Sequence, residues 1–157
     1  MSSLKYLNLE SCSPGNLHDV WLHNSDSLDA HRATVKARLL VKRYPLGASS
    51  YAGKKKQDRC ELCHEKEETT EHLLVECKSL EKKRRSHIKK LRTLVFESTR
   101  KMPEEDDHTK LILTPRSTTK DNLMELKRIS RLLLVALHNE RSKLMGGSSC
   151  YNRRRKS

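Results

Sequence analysis

Three cysteines and a histidine fall within the eighteen residues "CELCHEKEETTEHLLVEC", at the spacing C-x2-C-x8-H-x4-C: Cys60, Cys63, His72 and Cys77. A CxxC pair sets two thiolates on one tight turn, from which both sulfurs reach a single ion. Zinc, tetrahedral and tolerant of mixed sulfur and nitrogen donors, suits such a set. The other two ligands must come from a second element. The stretch "TTEHLLVEC" can supply it, with Thr70 as N-cap of a short helix carrying His72. Cys77, five residues on, lies about 140° further round an ideal helix. The helix is therefore expected to end or distort near Cys77 so that both ligands turn inward. Four protein ligands close the shell, which is structural chemistry; a catalytic zinc keeps a position open for water.

Two readings compete with that set. Cys60 and Cys63 alone would read equally well as surface thiols, but two further ligands at workable spacing argue for the site. His64 competes with His72, yet its place directly after Cys63 points it away from a shared centre. Cys12 and Cys150 have no partners nearby and read as free thiols. The five cysteines are odd in number, and the opening "MSSLKYLNLESCSPG" has no sustained apolar run. Both features fit poorly with a closed disulfide set and predict an intracellular protein, cytoplasmic, nuclear or both. The longest apolar stretch, Leu132 to Leu137, is six residues, far short of a bilayer span, and no membrane partner is expected.

Composition narrows the classes further. Of 157 residues, 34% are hydrophobic and 34% charged, with one Trp, four Tyr and one Phe, so a large single core is not expected. Bound metal would supply part of the missing stability. The 33 Lys and Arg against 20 Asp and Glu leave a net charge of +13, which favours polyanionic partners, chiefly nucleic acid.

The predicted fold class is mostly α: a small helical domain organised around one CCHC knuckle, between disordered N- and C-terminal tails. Residues 1–25 read as a poorly structured N-terminal segment. Residues 26–98 carry a helix, the CCHC module and a basic helix. The first helix is capped by Asp26 or Ser27, has Ala33, Ala37, Leu40, Val41 and Tyr44 as its stripe, and is stopped by Pro45 and Gly47. The second, over 79–98, has Leu80, Ile88, Leu91 and Val95 along one side. Residues 99–117, around "MPEEDDHTK", read as a solvated acidic loop. Residues 118–145 form a C-terminal amphipathic helix packing on the module, with Leu126, Ile129, Leu133 and Leu137 as its stripe and Gly146-Gly147 after its end. Residues 146–157 read as a disordered basic tail.

The segment "KARLLVKRYPLGASSYAGKKKQDRCELCHEKEETTEHLLVECKSLEKKR" resembles the zinc-binding segment C-terminal to the polymerase in non-LTR (LINE-type) retrotransposon reverse transcriptases. The resemblance rests on the phrase from Ala37 to Tyr44 and the basic loop Lys54 to Lys56. It continues through Cys60 and Cys63, then Glu71-His72-Leu73-Leu74, Cys77 and Arg84-Arg85. "ISRLLLVALHNER", 129–141, resembles the family's closing helix. The likeness spans roughly 26–145, and the Cys/His block is its specific part. It implies zinc binding and contact with nucleic acid. It does not imply polymerase or endonuclease activity, because the motifs for those domains are missing from this chain.

The residues themselves point the same way. "KSLEKKRRSHIKKLR", 78–92, holds eight Lys or Arg against one Glu, directly after the last candidate ligand. With the "GKKK" loop it offers two basic strips to a phosphate backbone: Lys54, Lys55 and Lys56, then Lys82, Lys83, Arg84, Arg85, Lys89 and Lys90. Only Tyr51 and His64 lie near enough to stack on an unpaired base, so weakly selective binding of RNA or single strands is expected. No nucleophile–base pair, phosphate loop or paired carboxylate set stands out, so neither catalysis nor a small-molecule substrate is expected. The alternative is a protein-interaction module engaging a partner through the apolar stripe of the third long helix.

Overall fold

The computed structural model describes residues 19–21, 26–41, 44–46, 59–104 and 107–146. The Cys12 and Cys150 thiols, Tyr51, the Lys54–Lys56 loop and most of both predicted tails lie outside the described residues; within the segment 1–25, expected to be poorly structured, Asp19–Trp21 instead forms a helical turn with Val20 buried against the core. Among the described residues the elements are all helical: α1 (Ser27–Leu40), α2 (Glu81–Thr99), α3 (His108–Leu113) and α4 (Lys120–Leu144). A 3-10 turn, Asp19–Trp21, precedes α1. A π turn, His72–Glu76, and a second 3-10 turn, Lys78–Leu80, lie before α2. The protein is thus mostly α, organised around the Cys/His cluster.

α1 begins where its cap was expected: the Asp26 carboxylate accepts the Asp29 N–H at 2.7 Å, filling one of the orphan donors of the first turn. Its buried face is Asp29, Ala33, Val35, Lys36, Leu39 and Leu40, continued by Tyr44. Ala33, Leu40 and Tyr44 of the predicted stripe are buried and Ala37 partly so, whereas Val41, expected inside, caps the C-terminus and is exposed.

α4 is the central element. Leu126, Ile129, Leu133, Leu134 and Leu137 are buried, and the helix packs chiefly against α2 and α1. Lys83 near the start of α2 reaches Glu140 near the end of α4 at 3.5 Å, so these two helices run antiparallel. Leu80 of the 3-10 turn before α2 and Leu91 of α2 enter the core completely, and Ile88 and Val95 of α2 partly. α4 ends at Leu144, capped by Met145, and Gly146 beyond it has a φ of 69°, the left-handed conformation that glycine adopts without a Cβ penalty.

Charged side chains also run through this core. Arg131 of α4 donates to Asp29 of α1 at 2.6 Å with both side chains 1% exposed, and also to the Val20 carbonyl at 3.2 Å. Lys36 donates to the Ser130 hydroxyl at 3.5 Å, and that hydroxyl donates to the Ile112 carbonyl, so α1, α4 and α3 share one polar chain. The residues read as an acidic loop thus contain α3, whose His108, Thr109, Ile112 and Leu113 are buried. The apolar residues of "HTKLIL" find a place against α4 and the π turn, and that burial overrides the polar neighbourhood.

Candidate metal centre and basic face

Cys60 and Cys63 sit on a tight turn. The His64 N–H donates to the Cys60 carbonyl at 2.9 Å and the Cys60 N–H to the Lys66 carbonyl at 2.6 Å, folding the strand of chain back on itself. His64 takes a left-handed backbone, φ 58°, to make this reversal, and its side chain is exposed. It does not join the cluster; His72 does.

The helical side of the site starts with a cap one residue earlier than expected. Thr69, not Thr70, accepts the His72 N–H on its hydroxyl at 3.0 Å. The chain then widens into the π turn: the Cys77 N–H donates to the His72 carbonyl, five residues back, at 2.8 Å. This is the distortion that the five-residue separation demanded. In a π turn residue i+5 stacks over residue i, so His72 and Cys77 come to one face instead of about 140° apart. Leu73 and Leu74, fully buried, hold the turn in the core while the ligands face the CxxC loop.

The Sγ atoms of Cys60, Cys63 and Cys77 and a ring nitrogen of His72 all lie within 4.8 Å of one another. The four residues could therefore hold a metal ion, and Cys60, His72 and Cys77 are buried. His72 Nε2 approaches Cys63 Sγ at 3.3 Å, which assigns Nε2 to the cluster. Its Nδ1 faces the Glu76 carboxylate at 3.6 Å, the arrangement by which an outer carboxylate orients a ligating imidazole. Lys66, at 2.9 Å, holds Glu76 below the usual carboxylate range.

Backbone donors point at the sulfurs as well. The Leu62 N–H donates to Cys60 Sγ at 3.4 Å, the Glu65 N–H serves Cys63, and the Ser79 N–H serves Cys77. Each sulfur thus meets the amide two residues on. Burial opposes ionisation of Cys63, but the amides of Glu65 and Lys66 and the neighbouring thiols outweigh it and lower its pKa. Cys77 goes the other way, pushed up to about 12 by burial and by the charge of Cys60. Three thiolates packed this closely repel one another, and a bound cation removes that penalty. The donor set therefore fits a thiophilic divalent ion.

Arg84 was expected among the nucleic-acid contacts, and its position gives it another task. It is buried, and its guanidinium donates to the Cys77 carbonyl at 2.8 Å and the Leu73 carbonyl at 3.4 Å, bracing the end of the π turn. A second brace comes from α4. Arg141 grips buried Glu68 with two bonds, 2.7 and 2.9 Å, and donates to the Pro45 carbonyl at 3.0 Å. The spacing carried a signal for Glu76, at i+4 from His72; nothing in it marked Arg84, Glu68 or Arg141 as interior.

The other expected contacts on α2 are exposed: Lys82, Lys83, Arg85, Lys89 and Lys90. Arg85 pairs with Glu81 at 2.8 Å and Lys83 reaches Glu140, while Lys82, Lys89 and Lys90 have no ion pair within 4 Å among the described residues. No helix among the described residues is long and apolar enough to cross a membrane. Comparison with protein-family models, with curated proteins and with solved structures found no match to this chain. What fold and site define is therefore a class: a small helical chain whose second helix is anchored beside a candidate metal centre of three cysteines and one histidine.

Proposed function

We propose that this chain is a zinc-stabilised, non-catalytic module that binds the phosphate backbone of nucleic acid, RNA or single strands foremost. We further propose that it derives from the C-terminal region of a non-LTR retrotransposon reverse transcriptase, without the polymerase and endonuclease. Zinc is the ion of choice because a tetrahedral site with bonds of about 2.3 Å sets its sulfurs about 3.8 Å apart. The donors here, all within 4.8 Å, need little adjustment to meet it.

The observation that carries the reading is the anchoring of α2. Leu80 and Arg84 fix its first turns to the Cys/His module, so the exposed lysines are held in one orientation. The protein-interaction alternative would present the α4 stripe, but Leu126, Ile129, Leu133 and Leu137 lie inside the core.

The test joins metal content with salt dependence. Protein purified without added zinc should carry about one zinc per chain; folded, reduced protein with none sinks the metal half. Affinity for a fluorescent single-stranded RNA should fall with salt at a log–log slope of about −0.7 per phosphate engaged. Lys82→Gln, Lys83→Gln and Arg85→Gln together should weaken binding for all sequences alike and flatten that slope. An unchanged slope in the folded variant would leave these cations as a solvated face.

A further inference from the structure

A groove of about 700 Å³ opens between the π turn, α2 and the chain entering α3. Its volume lies in the range of small-ligand sites, roughly 300 to 1,000 Å³. The charges on its walls are unevenly committed. Arg84 spends its guanidinium on the Cys77 and Leu73 carbonyls, Arg85 is paired with Glu81, and Glu76 with Lys66. Lys89 and Arg92, on one face of α2 and lining the groove, enter none of the ion pairs among the described residues. The Nε of Arg92 is buried and has no hydrogen-bond partner there, a donor that its surroundings leave unanswered. Ile88, four residues before Arg92 on the same helix, Val75 of the π turn and the half-exposed Met102 also line the groove, an apolar surface that a flexible thioether can fit to a flat ring or a sugar.

The geometry points to a nucleotide site in this groove: Lys89 and Arg92 hold one phosphate, and the Ile88–Met102 wall receives the attached nucleoside. Arginine and lysine three residues apart on a helix face the same way, and a phosphate oxygen between them takes two charge-assisted bonds. Glu76 and Glu81 at the far side disfavour a second phosphate in the groove and offer acceptors to sugar hydroxyls or base amines. The ligand is therefore one nucleotide unit of a strand rather than a bare polyanion. The inference deepens the nucleic-acid reading and rests on it.

Full-length protein with 13C-labelled methionine methyls separates the two. Titration with uridine monophosphate should shift the Met102 methyl and leave those of Met124 and Met145 in place; inorganic phosphate should shift it less. Lys89→Glu, a surface change that leaves the core untouched, and Arg92→Gln should each weaken binding of 12-mers of U and of dT roughly tenfold, the size of one charge-assisted hydrogen bond. If the 12-mers bind with salt dependence while Met102 does not move and Lys89→Glu binds as wild type, the groove assignment fails and the basic-face reading stands. If neither 12-mer binds, both fall.

Discussion

The Cys/His module and the α1–α4 bundle solve the same shortage of apolar residues in opposite ways. The bundle has leucines from three helices and seals its polar positions with buried pairs such as Arg131–Asp29. The module, 59–80, has Leu73, Leu74 and Leu80 at full burial and otherwise depends on four donors meeting at one point. One half is held by surface removed from water, the other by ligands that repel until a cation joins them. The difference teaches where each half is vulnerable: the bundle to lost volume, the module to lost charge balance.

The largest effect should follow removal of the metal. Apparent zinc-binding energies in small fingers, about 10–16 kcal/mol, match or exceed the whole stability of a typical domain, about 5–15 kcal/mol. Chelation or Cys77→Ser should therefore unfold the module. In hydrogen exchange the amides of Leu73, Leu74 and Cys77 should lose protection, while those around Leu133 and Leu134 in α4 keep much of theirs. Equal loss in both halves would break the comparison and make the protein one cooperative unit.

The next effect tests the joints. Breaking a buried ion pair by removing one partner costs about 3–5 kcal/mol. Arg131→Met, inside the bundle, should lower stability to urea by that order while zinc affinity holds. Arg141→Met should cost a similar amount and also loosen zinc, because Glu68, its partner, immediately precedes the Thr69 cap of the ligand-bearing turn. Zinc competition by a chromogenic chelator separates the two. If both variants release zinc equally, Arg141 is no special joint.

These joints mark the limit of what was legible in the residues. The four ligands could be read because their spacing satisfies one geometric demand, and the need for a distortion before Cys77 followed from helix arithmetic. The α4 stripe could be read because Leu126, Ile129, Leu133 and Leu137 recur at helical steps. Arg84, Arg131 and Arg141 could not. A cation at helical spacing looks the same whether it faces water or a carboxylate a hundred residues away, and only tertiary contact decides. α3 failed for a related reason: six residues after an acidic run carry too little period to be told from a loop until Ile112 and Leu113 have something to pack on.

The smallest predicted effect is a pH dependence where bundle and module meet. His138 lies beside Tyr44, its Nδ1 in hydrogen-bond contact with the Tyr44 hydroxyl at 2.7 Å, and Tyr44 itself is pushed up to about 12 by burial. Burial, and after it the charges of Arg141 and Arg38, hold the His138 imidazole below its ordinary value of 6.5. Well above pH 6.5 it is neutral in the folded and unfolded chain alike. As pH falls through about 6.5, the unfolded chain takes up a proton that the folded one refuses, so stability drops, and it levels off once the folded value is passed. His138 is partly exposed, so solvent damps the effect to a few degrees in Tm at most. Zinc-saturated wild type should lose Tm between pH 7.5 and 5.5, and His138→Gln, whose amide oxygen can still accept from Tyr44, should lose less. Zinc release followed in parallel separates this from protonation of the ligands. Identical Tm slopes in the two proteins, with zinc retained, would show that the Tyr44–His138 contact takes no part in the acid response.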